Sequence, residues 1–252
     1  MSRIAYVNGR YLPHARASVH VEDRGYQFGD GVYEVVLIHR GRLVDEDGHL
    51  DRLDRSLNEI RIAPPMARAP MRAVMREVIR RNRIEDGLIY MQVTRGVARR
   101  DHPFPKAAKP ALVMTARALT PFDPAAARTG VEAITIPDIR WKRCDIKTIG
   151  LLPNVLGKQQ AREAGAYEAW LVAEDGTVTE GTSSNAWIVT AKGELVTRSL
   201  SNAILGGITR RAILDLARAA GVRFAERAFT VAEAKAAREA FVSSATSLVK
   251  PV

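Results

Sequence analysis

The chain has 252 residues, 46% of them hydrophobic and 26% charged, enough to bury one large core or two compact ones. No apolar run approaches the roughly 18 residues of a membrane span, and the start, MSRIAYVNGRYL, lacks the apolar stretch of a signal peptide. The single cysteine, Cys144, excludes an internal disulfide, and a cytoplasmic location is expected. The net charge of +10 is almost all arginine, thirty against eight lysines. Arg68, Arg72, Arg76, Arg80, Arg81 and Arg83 are spread along a predicted helix and not grouped with aromatics. A solvated face is therefore expected, with no membrane partner and no nucleic acid. A phosphorylated or carboxylate ligand would use a few such guanidiniums.

In chain order, Ile4–Val7 and Tyr11–Leu12 flank Asn8-Gly9, which suits a two-residue hairpin turn. Val32–Ile38 is strongly β-prone, and Arg40-Gly41 turns it into Arg42–Val44. Leu50, Leu53, Leu57 and Ile60 predict a helix, and Met71, Val74, Met75, Val78 and Ile79 predict a second with one buried face. Strands follow at Leu88–Thr94 and Ala111–Ala116. Thr120-Pro121-Phe122-Asp123-Pro124 reads as a linker, since two prolines discourage helix and central strand alike. Beyond it, strands are predicted at Val131–Ile136, Glu168–Val172, Ala186–Val189, Glu194–Thr197 and Ala240–Ser243. Helices are predicted near Asn154–Glu163 and Thr209–Ala219. The expectation is an α+β chain of two domains: a small one over 1–119, a linker over 120–124 and a larger, β-rich one over 125–252.

Eight lysines make a short list for a reactive amine. Lys106 and Lys109 sit among prolines, Lys192 is in a turn, Lys158 and Lys235 lie on helices, Lys250 is near the end and Lys142 abuts Arg143. Lys147 differs: Asp145-Ile146-Lys147-Thr148-Ile149 alternates as a strand does and runs into Leu151-Leu152, and apolar surroundings help an amine lose its proton. A surface strand lysine fits the same residues. Glu180-Gly181-Thr182-Ser183-Ser184-Asn185 sets an acid and hydroxyls between two strands, and a polar hairpin would look alike. Gly206-Gly207-Ile208-Thr209 leaves the first N–H groups of a helix bare and approachable by an anion, as ordinary helix starts also do. No metal is expected.

Taken in order, these segments resemble the fold type IV pyridoxal 5′-phosphate (PLP) enzymes, the family of branched-chain and D-amino acid aminotransferases. The residues that carry the resemblance are Arg24-Gly25-Tyr26-Gln27-Phe28-Gly29-Asp30-Gly31-Val32-Tyr33-Glu34, His49-Leu50-Asp51-Arg52-Leu53, Arg143-Cys144-Asp145-Ile146-Lys147, Thr179-Glu180-Gly181-Thr182-Ser183-Ser184-Asn185 and Gly206-Gly207-Ile208-Thr209-Arg210. The resemblance implies that Lys147 forms the imine with PLP and shuttles the substrate α-proton. It also implies that Glu180 keeps the pyridine nitrogen protonated. Arg52, the N–H groups of Ile208 and Thr209 and the Thr246 hydroxyl would hold the phosphate, Leu205 would pack on the ring, and Ser183 would lie close to it. The periodicity alone puts Arg52 opposite the Leu50/Leu57 stripe, where a solvated arginine is expected.

Arg99-Arg100-Asp101-His102-Pro103-Phe104-Pro105 contains the Arg-X-His of D-amino acid aminotransferases. By resemblance Arg100 and His102, with Tyr33, trap the substrate carboxylate. The implied reaction moves an amino group between a D-amino acid and a 2-oxo acid, in a homodimer. Branched-chain or (R)-amine aminotransferases and aminodeoxychorismate lyases share the fold, and an inactive basic binding module is the rival of another class. Ala245 stands where relatives often have a hydroxyl. Relatives also run on past the position of Val252 through a further strand and helix, and none of the principal catalytic positions lies there.

Overall fold

The structure, a computed structural model, describes residues 3–120 and 128–252. It divides into two compact units, residues 3–120 with Ile146–Gly150, and residues 128–145 with 151–252. Of the expected linker only Thr120 is described; residues 121–124 lie outside the described residues. No helix among the described residues is long and apolar enough to cross a membrane.

The first unit contains β1 (Ile4–Val7), β2 (Arg10–Pro13), α1 (Arg24–Phe28), β3 (Gly31–His39), β4 (Arg42–Leu43), α2 (Glu46–Glu59), α3 (Arg68–Asn82), β5 (Gly87–Thr94) and β6 (Ala111–Ala118). Its strands form one antiparallel sheet in the order β2-β1-β6-β5-β3-β4. Asn8 and Gly9 both take positive φ, 46° and 92°, as the two-residue hairpin turn requires. Period-two alternation sends Val32, Val36 and Ile38 to one face with Ile89, Met91 and Val93, and the helices cover it with Leu50, Leu53, Leu57, Met71, Met75 and Val78. Glu34 lies in the same phase of β3 and is fully buried. Helix α1 presses so closely on the end of β5 that a Cβ on Gly25 would fall 2.2 Å from Thr94 Cγ2.

The second unit contains β7 (Ala133–Pro137), α4 (Leu152–Glu163), β8 (Glu168–Val172), β9 (Val178–Gly181), β10 (Asn185–Val189), β11 (Leu195–Thr197), α5 (Ile208–Ala219), β12 (Phe224–Glu226), α6 (Val231–Lys235), β13 (Glu239–Ser244) and β14 (Leu248–Pro251). A three-stranded sheet has the order β7-β8-β9, and a five-stranded one the order β12-β11-β10-β13-β14. Trp170, Val178, Ile188, Val196, Phe229 and Val242 form one core cluster. Trp187, Leu195, Leu214 and Ala217 form a second, under α5.

Two expectations need correction. The segment around Lys147 is not a strand: Thr148 makes an isolated bridge to Val32, and Tyr33 N donates to Lys147 O at 3.0 Å. Those bonds to β3 also place Ile146–Gly150 in the first unit, not with the residues that flank it in sequence.

Candidate active site

In the first unit a polar stripe runs along the sheet-facing side of α2. His49, Arg52 and Ser56 follow at helical spacing, and His49 and Ser56 are buried. The stripe meets Glu34. Arg52 Nε donates to Glu34 Oε1 at 2.7 Å, Arg52 Nη2 to Oε2 at 2.9 Å, and His49 Nδ1 lies 2.7 Å from Oε2. The Arg52 side chain is only 10% exposed, so the solvated arginine expected from the periodicity is overturned by a buried carboxylate across from it. Burial acts to raise the Glu34 pKa. The charge and hydrogen bonds of Arg52, the His49 bond and the charge of Lys147 outweigh it and lower the pKa to about 2.

Lys147 belongs to this cluster. Its Nζ lies over the Tyr33 ring, 4.2 Å from the centroid, and its backbone N donates to Ser56 Oγ at 3.4 Å. The apolar surroundings expected from Leu151-Leu152 are not what meets the amine: Leu152 is 68% exposed, while the amine faces an aromatic ring and the field of Glu34. Tyr33 stacks on Tyr90 at 5.7 Å between centroids. Arg100 and His102 are placed elsewhere in the same unit. The Arg100 guanidinium lies 4.9 Å from the centre of the Phe28 ring, and the His102 ring 5.6 Å from it. Arg52 thus pairs with Glu34, and Lys147 meets both the Tyr33 ring and the field of Glu34. Arg100 and His102 gather around Phe28, and no contact joins either to Tyr33 among the described residues.

In the second unit Glu180 lies next to the end of β9 and is buried. Arg140 Nη1 donates to its Oε1 at 2.5 Å, Asn185 Nδ2 to its Oε2 at 3.0 Å, and Leu205 N to both oxygens at 3.2 and 3.1 Å. Asn185 also donates to Leu205 O at 2.9 Å, so Leu205 is tied to Glu180 through its backbone. Arg140 in turn grips Asp138 through Nε and Nη2, at 2.9 and 2.8 Å, and Thr179 Oγ1 donates to Asp138 at 2.7 Å. Burial acts to raise the Asp138 pKa, yet the Arg140 guanidinium and the Thr179 hydroxyl hold it below the usual carboxylate range. For Arg140 burial acts the other way, and Asp138 and Glu180 together raise its pKa. Arg140 and Asp138 are not singled out by sequence reading, since 40 residues separate Arg140 from Glu180.

Ser183 donates to Glu168 Oε2 at 3.2 Å and Ser184 donates at 2.9 Å, and Thr182 bonds the other oxygen of the same buried carboxylate. The turn expected between two strands therefore has a carboxylate at its centre. Ile208 begins α5 with Gly207 as N-cap and no side-chain cap, so the N–H groups of Ile208 and Thr209 stay open to an anion. A Cβ on Gly207 would lie 2.0 Å from Asn185 Oδ1. Thr246 is exposed in the turn between β13 and β14, its hydroxyl 3.5 Å from Ser244 Oγ.

Each unit offers groups of the kind PLP needs. The first holds a primary amine beside an ion pair, and the second has a buried carboxylate with an arginine partner, suited to a ring nitrogen, and a bare helix start, suited to a phosphate.

A sequence profile of the family described as amino-transferase class IV matches residues 31–252. The chain is 43% identical to a D-alanine aminotransferase of Bacillus licheniformis over 246 residues, covering 97% of this chain and 86% of that one. It is 41% identical to a D-alanine aminotransferase of Staphylococcus aureus (strain N315) over 249 residues, covering 98% and 87%. Among solved structures, the branched-chain amino acid aminotransferase of Escherichia coli superposes with a TM-score of 0.90 at 23% identity. The match covers 100% of this chain and 86% of that one, and shows the shared fold.

Proposed function

Because the chain belongs to the class IV aminotransferases, we propose that it moves an amino group between a D-amino acid and a 2-oxo acid, with PLP as its cofactor. The observation that carries the catalytic part is the Lys147 amine, set over Tyr33 and beside the Arg52–Glu34 ion pair. The D preference is supported by the near full-length likeness to D-alanine aminotransferases, together with the Arg100-X-His102 segment. The rival reading, an inactive basic module, leaves the Lys147 amine beside the Arg52–Glu34 pair unexplained. We take the two units as the small and the PLP-binding domain of the family, and a homodimer in the cytoplasm as the working form. Sedimentation equilibrium and cell fractionation test the last two, with a monomer or a membrane-bound pool as the contrary results.

When bound, PLP supplies the ring that accepts the electron pair left behind by the α-proton. Lys147 would hold the cofactor covalently through Nζ, and, once the substrate amine has displaced it and freed its lone pair, Nζ would take the proton from the substrate α-carbon. Glu180, fixed by Arg140, Asn185 and the Leu205 N–H, would hold a proton on the ring nitrogen. Arg52, the Ile208 and Thr209 N–H groups and the Thr246 hydroxyl would hold the phosphate. Leu205 would pack on the ring, and Ser183 would lie near it. Arg100, His102 and Tyr33 hold the substrate carboxylate.

A planar ring offers two faces, and only an α-hydrogen directed at Lys147 leaves. A fixed carboxylate therefore selects one enantiomer. The test is kcat/KM for D- and L-alanine with 2-oxoglutarate, in wild type and in Arg100→Ala. D-alanine is the expected donor, and losing the guanidinium costs roughly ten- to hundredfold in kcat/KM. A wild type that prefers L-alanine, or an Arg100→Ala variant with unchanged kcat/KM, would sink the reading.

A further inference from the structure

The segment of residues 99–105 that carries Arg100 and His102 has little of its own to hold it. It contains Pro103 and Pro105, and among the described residues no backbone–backbone hydrogen bond reaches it. Two buried arginines reach it: Arg95, whose guanidinium lies 3.7 Å from the centre of the Phe104 ring, and Arg24, which bonds the segment's backbone. Arg24, 3% exposed, donates from Nη1 to Asp101 O at 2.5 Å and from Nη2 to His102 O at 3.3 Å. The third arm of the guanidinium, Nε, donates to Asp30 at 2.8 Å. Asp30 is itself fixed by Arg95, which bonds both its oxygens at 2.7 and 2.9 Å and continues to the carbonyls of Ile60 and Arg61. Burial acts to raise the Asp30 pKa, but the two arginines hold it below its ordinary range. The Arg24 guanidinium also lies 4.7 Å from the centre of the Phe28 ring, the ring that Arg100 and His102 share.

A guanidinium has a planar fork of donors, and Arg24 uses all three nitrogens at once, two on neighbouring carbonyls and one on a carboxylate. The two carbonyls belong to the residues that follow Arg100 and include His102. Fixing them sets where both side chains leave the backbone. The anchor is rigid: Arg24 N donates to Gly96 O, and the preceding Asp23 is bonded to Gly25 N and to Thr94 Oγ1.

We propose that Arg24 is a positioning residue for substrate specificity: by clamping the Asp101 and His102 carbonyls to Asp30 it holds Arg100 and His102 where they meet the substrate carboxylate. The proposal rests on the D-amino acid reading above and adds to it a residue that touches neither substrate nor cofactor. Lysine at this position has one ammonium and cannot serve Asp30 and two carbonyls together.

The experiment compares wild type, Arg24→Lys and Phe28→Leu. It reads steady-state kinetics with D-alanine, the inhibition constant of propionate (a carboxylate that cannot react) and amide hydrogen exchange at residues 99–105. Arg24→Lys is expected to raise the D-alanine KM and the propionate constant together, by roughly ten- to hundredfold, the scale set by a small misplacement of binding groups. The visible absorption band of the bound cofactor stays in place, kcat changes far less than KM, and exchange quickens at 99–105 before it does in β3 or β5. Phe28→Leu removes the shared ring and shifts the same readings in the same direction by less, and it decides the matter if the lysine variant does not fold. Unchanged KM and propionate constants, a loss confined to kcat, or unchanged exchange at 99–105 would overturn the proposal. A wild type without D-alanine activity would instead overturn the parent reading, with the exchange measurement still deciding whether Arg24 holds the segment.

Discussion

Glu34 sits between Val32 and Val36 on the buried face of β3, where a lone carboxylate would shed its charge. It stays charged because Arg52, His49 and Lys147 surround it, and its pKa falls from the ordinary 4.5 to about 2. A carboxyl whose folded pKa is depressed contributes stability above its unfolded pKa and loses it as pH falls through the folded value. The contribution, about 3 kcal/mol at neutral pH, is therefore lost between pH 4.5 and about 2. Glu34→Gln should lower stability at pH 7 by a similar amount, because Arg52 keeps its burial and loses its counter-charge. Below about pH 4 the gap between variant and wild type should narrow as the wild-type carboxyl is protonated. Urea midpoints of the two proteins across pH 3 to 7 check this. Curves that run parallel over the whole range would show that Glu34 is not the titrating group.

For helix α5, what matters is how it begins. Gly207 caps it without a side chain, and its Cα approaches Asn185 so closely that an added Cβ would displace the amide that holds Glu180. Gly207→Ala should therefore weaken PLP retention by about tenfold, the cost of one charge-assisted hydrogen bond. Gly206→Ala should do far less, since its Cβ would meet only Leu200 at an ordinary 3.7 Å. Equilibrium dialysis against PLP separates the two, and equal losses would refute the Asn185 argument. The long elements are legible in the sequence because periodicity accumulates: α2, α3 and β3 each show several in-phase apolar residues. The short α1, β12 and α6 span three to five residues and offer about one period each. Lys147 and Glu180 become legible only through the order of their motifs. Arg140 and Asp138 are not legible, because their meeting with Glu180 is made by tertiary packing. Glu34 left a trace, a charged residue in phase with Val32, Val36 and Ile38, and so did the His49, Arg52 and Ser56 spacing on α2.

At the scale of the molecule, the charge of +10 overstates what a polyanion would meet. The arginines of α3 are largely paired: Arg68 with Asp51 and Asp54, Arg72 with Glu46 and Asp47, Arg76 with Glu46, and Arg80 and Arg81 with Glu77. Others are spent inside the fold, Arg24 and Arg95 on Asp30 and Arg140 on Asp138 and Glu180. Surface pairs of this kind add little stability, but they remove the continuous basic face that nucleic-acid binding requires. Duplex DNA should therefore bind weakly at low salt and be released by about 200 mM salt, with aminotransferase activity unaffected. Fluorescence anisotropy with labelled duplex checks the first part. Tight binding that survives such salt would reopen the question.

The placement of Ile146–Gly150 has a consequence for how the protein is made. The first unit claims these five residues although its other described members end at residue 120. A chain emerging from the ribosome must therefore lay out β7 and the Arg140 segment before the N-terminal unit receives its last piece, and that piece carries Lys147. Until then β3 lacks the Lys147 carbonyl and the Thr148 bridge, and Glu34 lacks one of its cations. A gene cut after residue 120 would yield an N-terminal fragment without Lys147, so the two halves of this enzyme cannot be exchanged as cassettes at that point.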